Sequence, residues 1–281
     1  MTAAIIVIVV LLLLVAVLYV LALRCQRPRD GWEPFIGQRY AHRGLHDDRI
    51  PENSLTAFRR AAICGFGAEL DVHLMKDGQL AVIHDSSLLR TAGADVCIED
   101  LTAADLERYT LGDSGEHIPL LRDVLPFFEE GMPLIIELKA ERGNGALLAA
   151  TTCYLVENYE LNCIIESFDP RCLQWMRKNE PQYLRGQLSE NFLRHGDGTH
   201  LPAVIRWALG NLLMNFTTRP DFIAYRFEDR DCFSLRLCRK LYGVKEASWT
   251  LRMPEELAAA EQAGCLPIFE CFDPRGTTKC E

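Results

Sequence analysis

Short runs of β-type residues alternate with helical stretches from residue 39 onward, and this alternation restricts the possible folds most strongly. The predicted strands are residues 39–42, 67–72, 134–138, 163–166, 183–187, 221–225, 244–250 and 265–269. The helices predicted between them are residues 54–64, 120–129, 145–158, 169–178, 201–213, 231–242 and 254–263. This alternation is typical of parallel strands joined by right-handed helical crossovers. The sequence therefore predicts an α/β fold.

The number of strands and the length of the region favour a closed barrel. Eight strands are predicted in residues 39–281, and the length of this region is close to the roughly 250 residues of a (β/α)8 TIM barrel. A doubly wound open sheet is the alternative, but the sequence has no Gly-rich dinucleotide-binding turn of the kind that marks that fold. Residues 86–119 exceed a simple connection and are predicted to form a small insertion after strand 2.

Residues 3–23 form an apolar run without a charge, a proline or a glycine. About 20 such residues in a helix cross a hydrocarbon core of roughly 30 Å. A cleaved signal peptide is the alternative, but it requires a basic segment before the run, and no Lys or Arg is present there. We predict a transmembrane helix at residues 3–23, a linker at 24–38 and the barrel domain at 39–281.

The flanking charges predict the orientation of this helix. Arg24, Arg27 and Arg29 follow the run directly, and the positive-inside rule then places the barrel domain in the cytoplasm. The eleven cysteines lack a paired spacing such as C-x-x-C, which fits reduced thiols in the cytosol. The prediction is a single-pass membrane protein with a cytoplasmic domain, although a single anchor can also insert in the opposite direction.

The overall charge argues against one class of partner. The chain has a formal net charge of −9 and a pI near 5.4, and it lacks the Lys/Arg-rich stripe that nucleic-acid binding requires. We therefore expect no nucleic-acid partner, and the sequence gives no basis for inferring a protein partner. An acidic protein that acts on an anionic substrate needs a bound cation or a local basic pocket.

Polar side chains lie at or near the ends of the predicted strands, where a (β/α)8 barrel carries its catalytic groups. They are His42, Arg43, Glu69, Asp71, His84, Glu137, Lys139, Glu166 and Trp249. Each has a structural alternative: a strand-end histidine is often only hydrogen-bonded, and Glu137 with Lys139 could form a plain ion pair. Jointly, however, three acids on hydrophobic strands would repel one another unless a cation joined them.

The residue types then indicate a chemistry. Oxygen ligands favour Mg²⁺ or Ca²⁺ over zinc. Two histidines whose ordinary pKa is near 6.5 suit a general base and a general acid. Arg43 and Lys139 supply positive charge for a phosphate group. Together these groups describe metal-assisted cleavage of a phosphodiester.

Motifs in a defined order carry a family resemblance. They are HRG (42–44), PEN (51–53), ELDV (69–72), KDG (76–78), HD (84–85), ELK (137–139), SFD (167–169) and WT (249–250). This series resembles the glycerophosphodiester phosphodiesterase family, from about residue 39 to residue 269. The resemblance implies a TIM barrel that hydrolyses glycerophosphodiesters to an alcohol and glycerol 3-phosphate.

The resemblance also implies roles for residues. The metal ligands would be Glu69, Asp71 and Glu137, the acid–base pair His42 and His84, and the substrate-binding residues Arg43, Glu52, Lys139 and Trp249. Glu52 could instead cap the following helix. Two routes stay open: attack by the 2-hydroxyl of the substrate, which gives a cyclic phosphate, or direct attack by water.

Two stretches depart from the family pattern. Leu251-Arg252 stand where a small apolar residue and Asn are usual, and LPIFECFDP at 266–274 replaces a closure that contains Asp. Both stretches are expected at the rim of the pocket, so they affect which alcohol group of the substrate the site would prefer. His73 is predicted to be structural or to support the metal ligands from behind, rather than to bind the metal, and no role is assigned to the loop histidines at positions 46, 117, 195 and 200.

Two alternative functions remain at this point. An anchored enzyme could cleave lysophospholipids in the manner of a lysophospholipase D, with the apolar stretch at 207–216 as a groove, although core packing is another use for that stretch. A non-catalytic barrel that binds a phospholipid headgroup is the second alternative. We expect a decayed enzyme to have lost some of its metal ligands or histidines, and here all five are present.

Overall fold

The computed structural model describes residues 2–129, 131–195 and 201–276. His200 and residues 277–281 of the predicted domain lie outside the described residues. The strands are β1 Tyr40–Ala41, β2 Gly67–Leu74, β3 Leu80–Val82, β4 Leu134–Leu138, β5 Cys163–Ser167, β6 Arg185–Ser189, β7 Phe222–Arg226, β8 Lys245–Leu251 and β9 Leu266–Phe269.

The helices surround this sheet. The α-helices are α1 Thr2–Ala22, α2 Leu55–Ile63, α3 Leu89–Ala92, α4 Leu121–Val124, α5 Gly145–Val156, α6 Pro170–Asn179, α7 Phe192–His195, α8 Ala203–Gly210, α9 Asn215–Thr218, α10 Phe233–Tyr242 and α11 Pro254–Gln262. Short 3-10 helices occur at Ile98–Asp100, Ala103–Arg108, Leu125–Phe127 and Phe227–Asp229.

Eight of the strands form a closed parallel barrel, which confirms the predicted fold. The order is β1-β9-β8-β7-β6-β5-β4-β2, and pairing of β1 with β2 closes the ring. The barrel strands are almost entirely buried, because one face packs on helices and the other on the barrel interior. We call the end of the barrel where the carboxyl ends of these strands open the mouth, and the opposite end the base.

The predicted helix at 120–129 is shorter in the structure. Helix α4 ends at Val124 and continues as a 3-10 turn with Pro126 in it. Proline lacks the N–H group that would extend the α-helical hydrogen-bond series. The chain therefore turns tightly before β4 instead of continuing as one α-helix.

The insertion after the second barrel strand has a small core of its own. Strand β3 pairs antiparallel with β2 and lies outside the barrel ring. The residues that follow pack into a separate hydrophobic cluster, which includes Ile83, Leu88, Ile98, Leu106 and Leu111. This agrees with the predicted insertion and places the segment that begins at His84 beside the mouth.

Residues 24–38, predicted as a linker, pack against the base of the barrel. Trp32 and Phe35 are buried in the cluster that fills the barrel interior, and the Tyr40 hydroxyl donates to the Phe35 carbonyl at 3.1 Å. Arg29 forms a salt bridge with Asp221 at 2.7 Å. The segment therefore ties the N-terminal helix to the barrel.

Helix α1 is long and apolar enough, by length and composition, to cross a membrane. Residues 2–18 are exposed, whereas the last turn packs against the barrel domain. Leu23 is fully buried, and the hydroxyls of Tyr19 and Ser234 are hydrogen-bonded at 2.9 Å. The Tyr242 hydroxyl donates to the Val20 carbonyl at 2.7 Å.

Candidate active site

A cavity of about 280 Å³ opens at the mouth. It brings together eight of the nine residues predicted for the site: His42, Arg43, Glu52, Glu69, His84, Glu137, Lys139 and Trp249. The ninth, Asp71, is fully buried behind this lining and is bonded to two of the lining residues. The structure thus brings predicted site residues from segments spread over more than 200 residues of sequence into one cavity.

Three carboxylates converge at the centre of this site. Glu69 and Asp71 lie two residues apart on β2 and therefore point to the same face. Asp71 is in register with Glu137 on the neighbouring strand β4. One oxygen from each of the three carboxylates lies within 4.8 Å of the others, and all three residues are buried.

The donor set fits a hard divalent cation. Burial and the nearby carboxylates of Asp71 and Glu137 raise the pKa of Glu69 well above its ordinary value. Burial likewise raises the pKa of Glu137, although Lys139 opposes this shift. A cation among these oxygens would favour the ionised carboxylates, and all-oxygen ligation is what Mg²⁺ and Ca²⁺ prefer.

Two basic side chains contact the acidic triad. Lys139 Nζ lies 2.7 Å from Glu137 Oε1 and 3.0 Å from Asp71 Oδ1, and Arg43 Nε lies 3.5 Å from Asp71 Oδ2. Although burial opposes it, Lys139 and the nearby basic residues hold the pKa of Asp71 well below its ordinary value. The site therefore combines carboxylate oxygens that could hold a cation with two basic side chains that could face an anionic group.

Local backbone geometry positions Arg43 and the residue that supports Asp71. Arg43 and Asn53 both have a φ of 55°, and the Asn53 N–H donates to the Arg43 carbonyl at 2.9 Å. Asn53 Nδ2 donates to Asp71 Oδ2 at 2.8 Å. A Cβ on Gly44 would lie 2.8 Å from Ala57 Cβ on α2, so only glycine fits against the helix at this position.

Glu52 joins the two sides of the mouth. Arg43 Nη1 donates to Glu52 Oε1 at 3.0 Å, and Arg90 Nη2 donates to the same oxygen at 2.6 Å. Although burial opposes it, hydrogen bonding to Arg90 lowers the pKa of Glu52. The helix cap is provided by Ser54, which accepts from the Ala57 N–H. Glu52 therefore orients arginines, while Ser54 caps the helix.

His84 is held by residues close to it in sequence. Its Nδ1 lies 2.6 Å from Asp85 Oδ1, and Arg90 Nε donates to Asp85 Oδ2 at 2.5 Å. Because an ionised carboxylate only accepts hydrogen bonds, Nδ1 carries the proton and Nε2 is left for the cavity. Burial lowers the pKa of His84 to about 4, so the ring is neutral at pH 7. We call His84, Asp85 and Arg90 the local arm.

His42 has the same arrangement with residues far away in sequence. Its Nδ1 lies 2.5 Å from Glu270 Oε2, and Arg252 Nη2 lies 2.7 Å from Glu270 Oε1. His42 Nε2 lies 3.8 Å from Glu69 Oε2. Burial and Arg43 lower the pKa of His42. We call His42, Glu270 and Arg252 the distant arm.

Three further acidic or basic residues of this site have no role in the sequence prediction. Glu270 and Arg252 lie in the two stretches that depart from the family pattern, and the structure shows that they bond to each other. Glu166 lines the cavity beside Glu137, and burial raises its pKa well above the ordinary value. Its position at the end of a predicted strand had placed Glu166 among the polar strand-end residues, without a role.

The other side of the cavity is aromatic and apolar. Trp249 packs edge-to-face on Phe168 with ring centroids 5.7 Å apart, and Leu188 and Ile268 complete this wall. The indole N–H of Trp249 is buried without a hydrogen-bond partner among the described residues. The wall can therefore contact the carbon skeleton of a substrate while one N–H stays free to donate.

The remaining histidines differ in their distance from the site. His73 is buried, with Nδ1 2.6 Å from Glu99 and Nε2 3.1 Å from the His84 carbonyl, so it contacts the segment that carries His84. His46 lines the cavity with Nε2 4.0 Å from Glu270, a location that its loop position did not predict. His117 and His195 do not line the cavity.

Residues 42–270 match the model of a family described as the "Glycerophosphoryl diester phosphodiesterase family". The chain is 28% identical over 238 residues to a glycerophosphodiester phosphodiesterase of Caldanaerobacter subterraneus subsp. tengcongensis, covering 80% of this chain and 89% of that protein. It is 32% identical over 139 residues to a human lysophospholipase D, covering 44% of this chain and 42% of that protein.

The fold is also similar to that of solved structures. A phosphodiesterase of Oleispira antarctica, solved in complex with the product sn-glycerol-3-phosphate, superposes with a TM-score of 0.70 at 22% identity. The superposition covers 86% of this chain and 95% of that one. A glycerophosphodiester phosphodiesterase of Thermotoga maritima gives a TM-score of 0.62 at 24% identity, with 83% and 94% covered. At these identities the likeness shows the barrel fold.

Proposed function

Because this chain belongs to the glycerophosphoryl diester phosphodiesterase family, we propose that it hydrolyses glycerophosphodiesters to an alcohol and glycerol 3-phosphate with the site at the mouth of the barrel. The observation that carries this proposal is the buried triad of carboxylates beside two imidazoles in one cavity. Each imidazole has its Nδ1 bonded to a carboxylate, which is the arrangement expected of groups that transfer protons.

Glu69, Asp71 and Glu137 would hold one divalent cation, Mg²⁺ or Ca²⁺. When bound, this cation would polarise the phosphoryl oxygens and offset the charge that develops in the transition state. Arg43 and Lys139 bind the remaining phosphate charge, because both line the cavity and both lie beside Asp71 of the triad. Trp249 packs against the glycerol part of the substrate.

His42 and His84 move the protons in this proposal. Both rings have lowered pKa values because they are buried, so either ring can accept a proton at neutral pH through Nε2. The ring that accepts the proton of the attacking group acts as the base. The other ring, once protonated, donates that proton to the oxygen of the leaving alcohol and acts as the acid. The attacking group is the 2-hydroxyl of the glycerol or water, and detection of a cyclic phosphate during turnover distinguishes the two routes.

We further propose that α1 anchors the protein in a membrane and that the barrel domain lies in the cytoplasm. The support is the length and composition of this exposed helix and the three arginines that follow it. Protease treatment of sealed spheroplasts tests the orientation. A cytoplasmic domain is protected until the membrane is opened, and digestion in intact spheroplasts would reverse the orientation.

A second candidate activity uses the same chemistry on lysophospholipids. It is favoured by the apolar wall of the cavity and by the relative that is named a lysophospholipase D. The alternative of a non-catalytic headgroup-binding barrel has less support, since all five predicted ligands and histidines meet in one site.

The activity is tested with the full-length protein in detergent. We expect release of glycerol 3-phosphate from glycerophosphocholine or glycerophosphoethanolamine, loss of this activity with EDTA, and recovery with Mg²⁺ or Ca²⁺. Asp71→Asn should abolish both the activity and the rise in thermal midpoint that the cation produces in the wild-type protein. Folded protein without turnover on any glycerophosphodiester or lysophospholipid, with each cation supplied, would refute the proposed enzyme.

A further inference from the structure

The direction of α1 relative to the barrel follows from its contacts with α10. Tyr19 stacks on Phe233 with centroids 6.3 Å apart, and the Leu23 carbonyl accepts from Cys238 Sγ at 3.6 Å. Farther along the chain, Pro28 lies beside Gly243. The residue numbers of these three pairs increase together along both segments, so α1 runs parallel to α10. The Tyr242 hydroxyl, at the end of a long side chain, reaches back to the Val20 carbonyl and does not follow this order.

Helix α10 starts at the mouth, because it follows the carboxyl end of β7 and precedes the amino end of β8. A parallel α1 therefore extends beyond the mouth with its N-terminal part. The exposed residues 2–18 correspond to about 26 Å of helix at 1.5 Å per residue. The apolar sequence continues to Leu23, beside α10, and the first charge is Arg24. The boundary of a membrane that holds α1 thus lies at the level of the mouth.

Exposed apolar side chains lie on the same side of the barrel. We call them the collar: Leu193, Leu201, Val204, Ile205, Trp207 and Phe233. Val204 is 70% exposed and Trp207 is 46% exposed. The Ser189 hydroxyl at the end of β6 donates to the Leu209 carbonyl at 3.1 Å, and the Tyr225 hydroxyl near the end of β7 donates to the Gly210 carbonyl at 2.7 Å. These bonds hold α8 at the mouth.

An aromatic path connects the collar with the active site. Trp249 in the cavity packs on Phe168 with centroids 5.7 Å apart. Phe168 in turn packs edge-to-face on Phe192, at 5.9 Å. Phe192 begins α7, whose next residue, Leu193, belongs to the collar. Apolar contact therefore continues from the catalytic cavity to the surface beside α8.

We propose that the collar rests on the lipid surface in which α1 is anchored and that the site takes lysophospholipids from that leaflet, their acyl chain directed along the aromatic path. This rests on the proposed function. Over the whole reaction, by either route, the bond between phosphorus and the headgroup oxygen breaks and a water oxygen becomes bonded to phosphorus. A proton of that water passes to the headgroup oxygen, and the products are lysophosphatidic acid and the headgroup alcohol. Exposed aromatic and aliphatic residues beside a membrane helix are suited to the interface.

The first experiment compares two substrates with one headgroup in proteoliposomes of phosphatidylcholine. The double variant Val204→Asp/Ile205→Asp should lower turnover of lysophosphatidylcholine by roughly tenfold or more, since acids at an interface oppose contact with lipid. Turnover of glycerophosphocholine, which is soluble and has no acyl chain, should change by less than about twofold.

The control is Ile63→Asp/Tyr154→Asp, which places acids on positions of α2 and α5 that are more exposed than Val204 and Ile205. Both positions lie in the C-terminal parts of their helices, toward the base. This control should leave the turnover of both substrates unchanged. An equal loss of both substrates in the collar variant, or no loss of either, overturns the proposal. Wild-type protein that cleaves glycerophosphocholine but no lysophospholipid overturns this inference and leaves the proposed function standing.

The second experiment detects lipid contact without activity. Brominated phosphatidylcholine should quench part of the tryptophan fluorescence of the full-length protein, and Trp207→Phe should remove most of that quenching. Trp175→Phe, on α6, should leave it in place. Quenching that is unaffected by Trp207→Phe would show that the collar does not touch lipid, and a protein partner would then be the remaining occupant of this surface.

Discussion

Each of the two histidines at the mouth is bonded to a carboxylate, which is bonded in turn to an arginine. The chain supplies these residues from nearby positions in one case and from distant positions in the other. In the local arm, His84, Asp85 and Arg90 lie within seven positions of one another. In the distant arm, His42 and Glu270 are separated by 228 residues. Imidazole, carboxylate and guanidinium follow one another in both arms. The comparison shows that the chemistry of one arm is local and that of the other depends on closure of the barrel.

The arms also differ in burial. The side chains of His84 and Asp85 are 32% and 30% exposed, whereas those of His42 and Glu270 are 12% and 11% exposed. Although burial opposes it, the bond to His42 lowers the pKa of Glu270 to about 2. Because charges interact more strongly away from water, we expect the distant arm to be more sensitive to loss of its carboxylate.

The largest expected effect is loss of either imidazole. His42→Ala and His84→Ala should each lower kcat for glycerophosphodiester hydrolysis by roughly 10²–10⁴-fold, the usual contribution of a positioned general acid or base. Release of glycerol 3-phosphate measures the rate, and circular dichroism checks the fold. If one folded variant kept wild-type activity, the equivalence of the two arms would be refuted.

Loss of a carboxylate should separate the arms. Glu270→Gln should lower kcat by roughly 10–100-fold and Asp85→Asn by less, since Asp85 is more exposed to water that can replace it. Glu270→Asp keeps the charge and should restore part of the rate. KM should change little in all three variants. A larger loss in Asp85→Asn than in Glu270→Gln would contradict the ranking by burial.

A smaller effect is expected from the arginines. Arg252 and Arg90 are about half exposed, and exposed ion pairs contribute roughly 0–1 kcal/mol. Arg252→Met should therefore lower kcat by about fivefold at most. Arg90→Met should lower kcat somewhat more than Arg252→Met does, because Arg90 also binds Glu52. Steady-state kinetics at two salt concentrations measure both, and equal losses would remove the assigned role of the Glu52 bond.

The smallest effect concerns acid stability. A carboxyl group whose pKa falls on folding stabilises the protein above its ordinary pKa, near 4.5 for Glu270, and this contribution is lost as the pH falls toward about 2. The thermal midpoint of wild-type protein in detergent should therefore decrease more between pH 5 and pH 3 (a window of about two units) than that of Glu270→Gln. Parallel pH profiles would indicate that Glu270 makes no such contribution.

Much of the fold and most of the site were predictable. The eight predicted strands fall on the eight strands of the barrel, because strands buried on both faces appear as short apolar runs. The rule that catalytic groups follow these strands placed His42, Glu69 and Glu137 around one cavity. The roles assigned to these residues remain predictions that the experiments above test.

Other parts of the site were not predictable from sequence. Glu270 reaches His42 only because β9 pairs with β1, where the His42 N–H donates to the Phe269 carbonyl at 2.9 Å. Arg252 then joins Glu270 from the end of β8. Both residues depart from the family pattern, so the motifs did not mark them. His46 enters the cavity through a loop conformation that no periodic pattern predicts.

The local sequence pattern was sufficient to predict the number of strands, the polar residues at strand ends and the apolar helix. Each of these features depends on residues that are neighbours in the sequence. The distant arm and the direction of α1 depend on contacts between segments far apart. The His42–Glu270 pair exists because the barrel closes. The N-terminal part of α1 extends beyond the mouth because α1 packs parallel to α10. Such contacts are decided only when every element packs against its neighbours, since each is set by the summed burial of the whole domain.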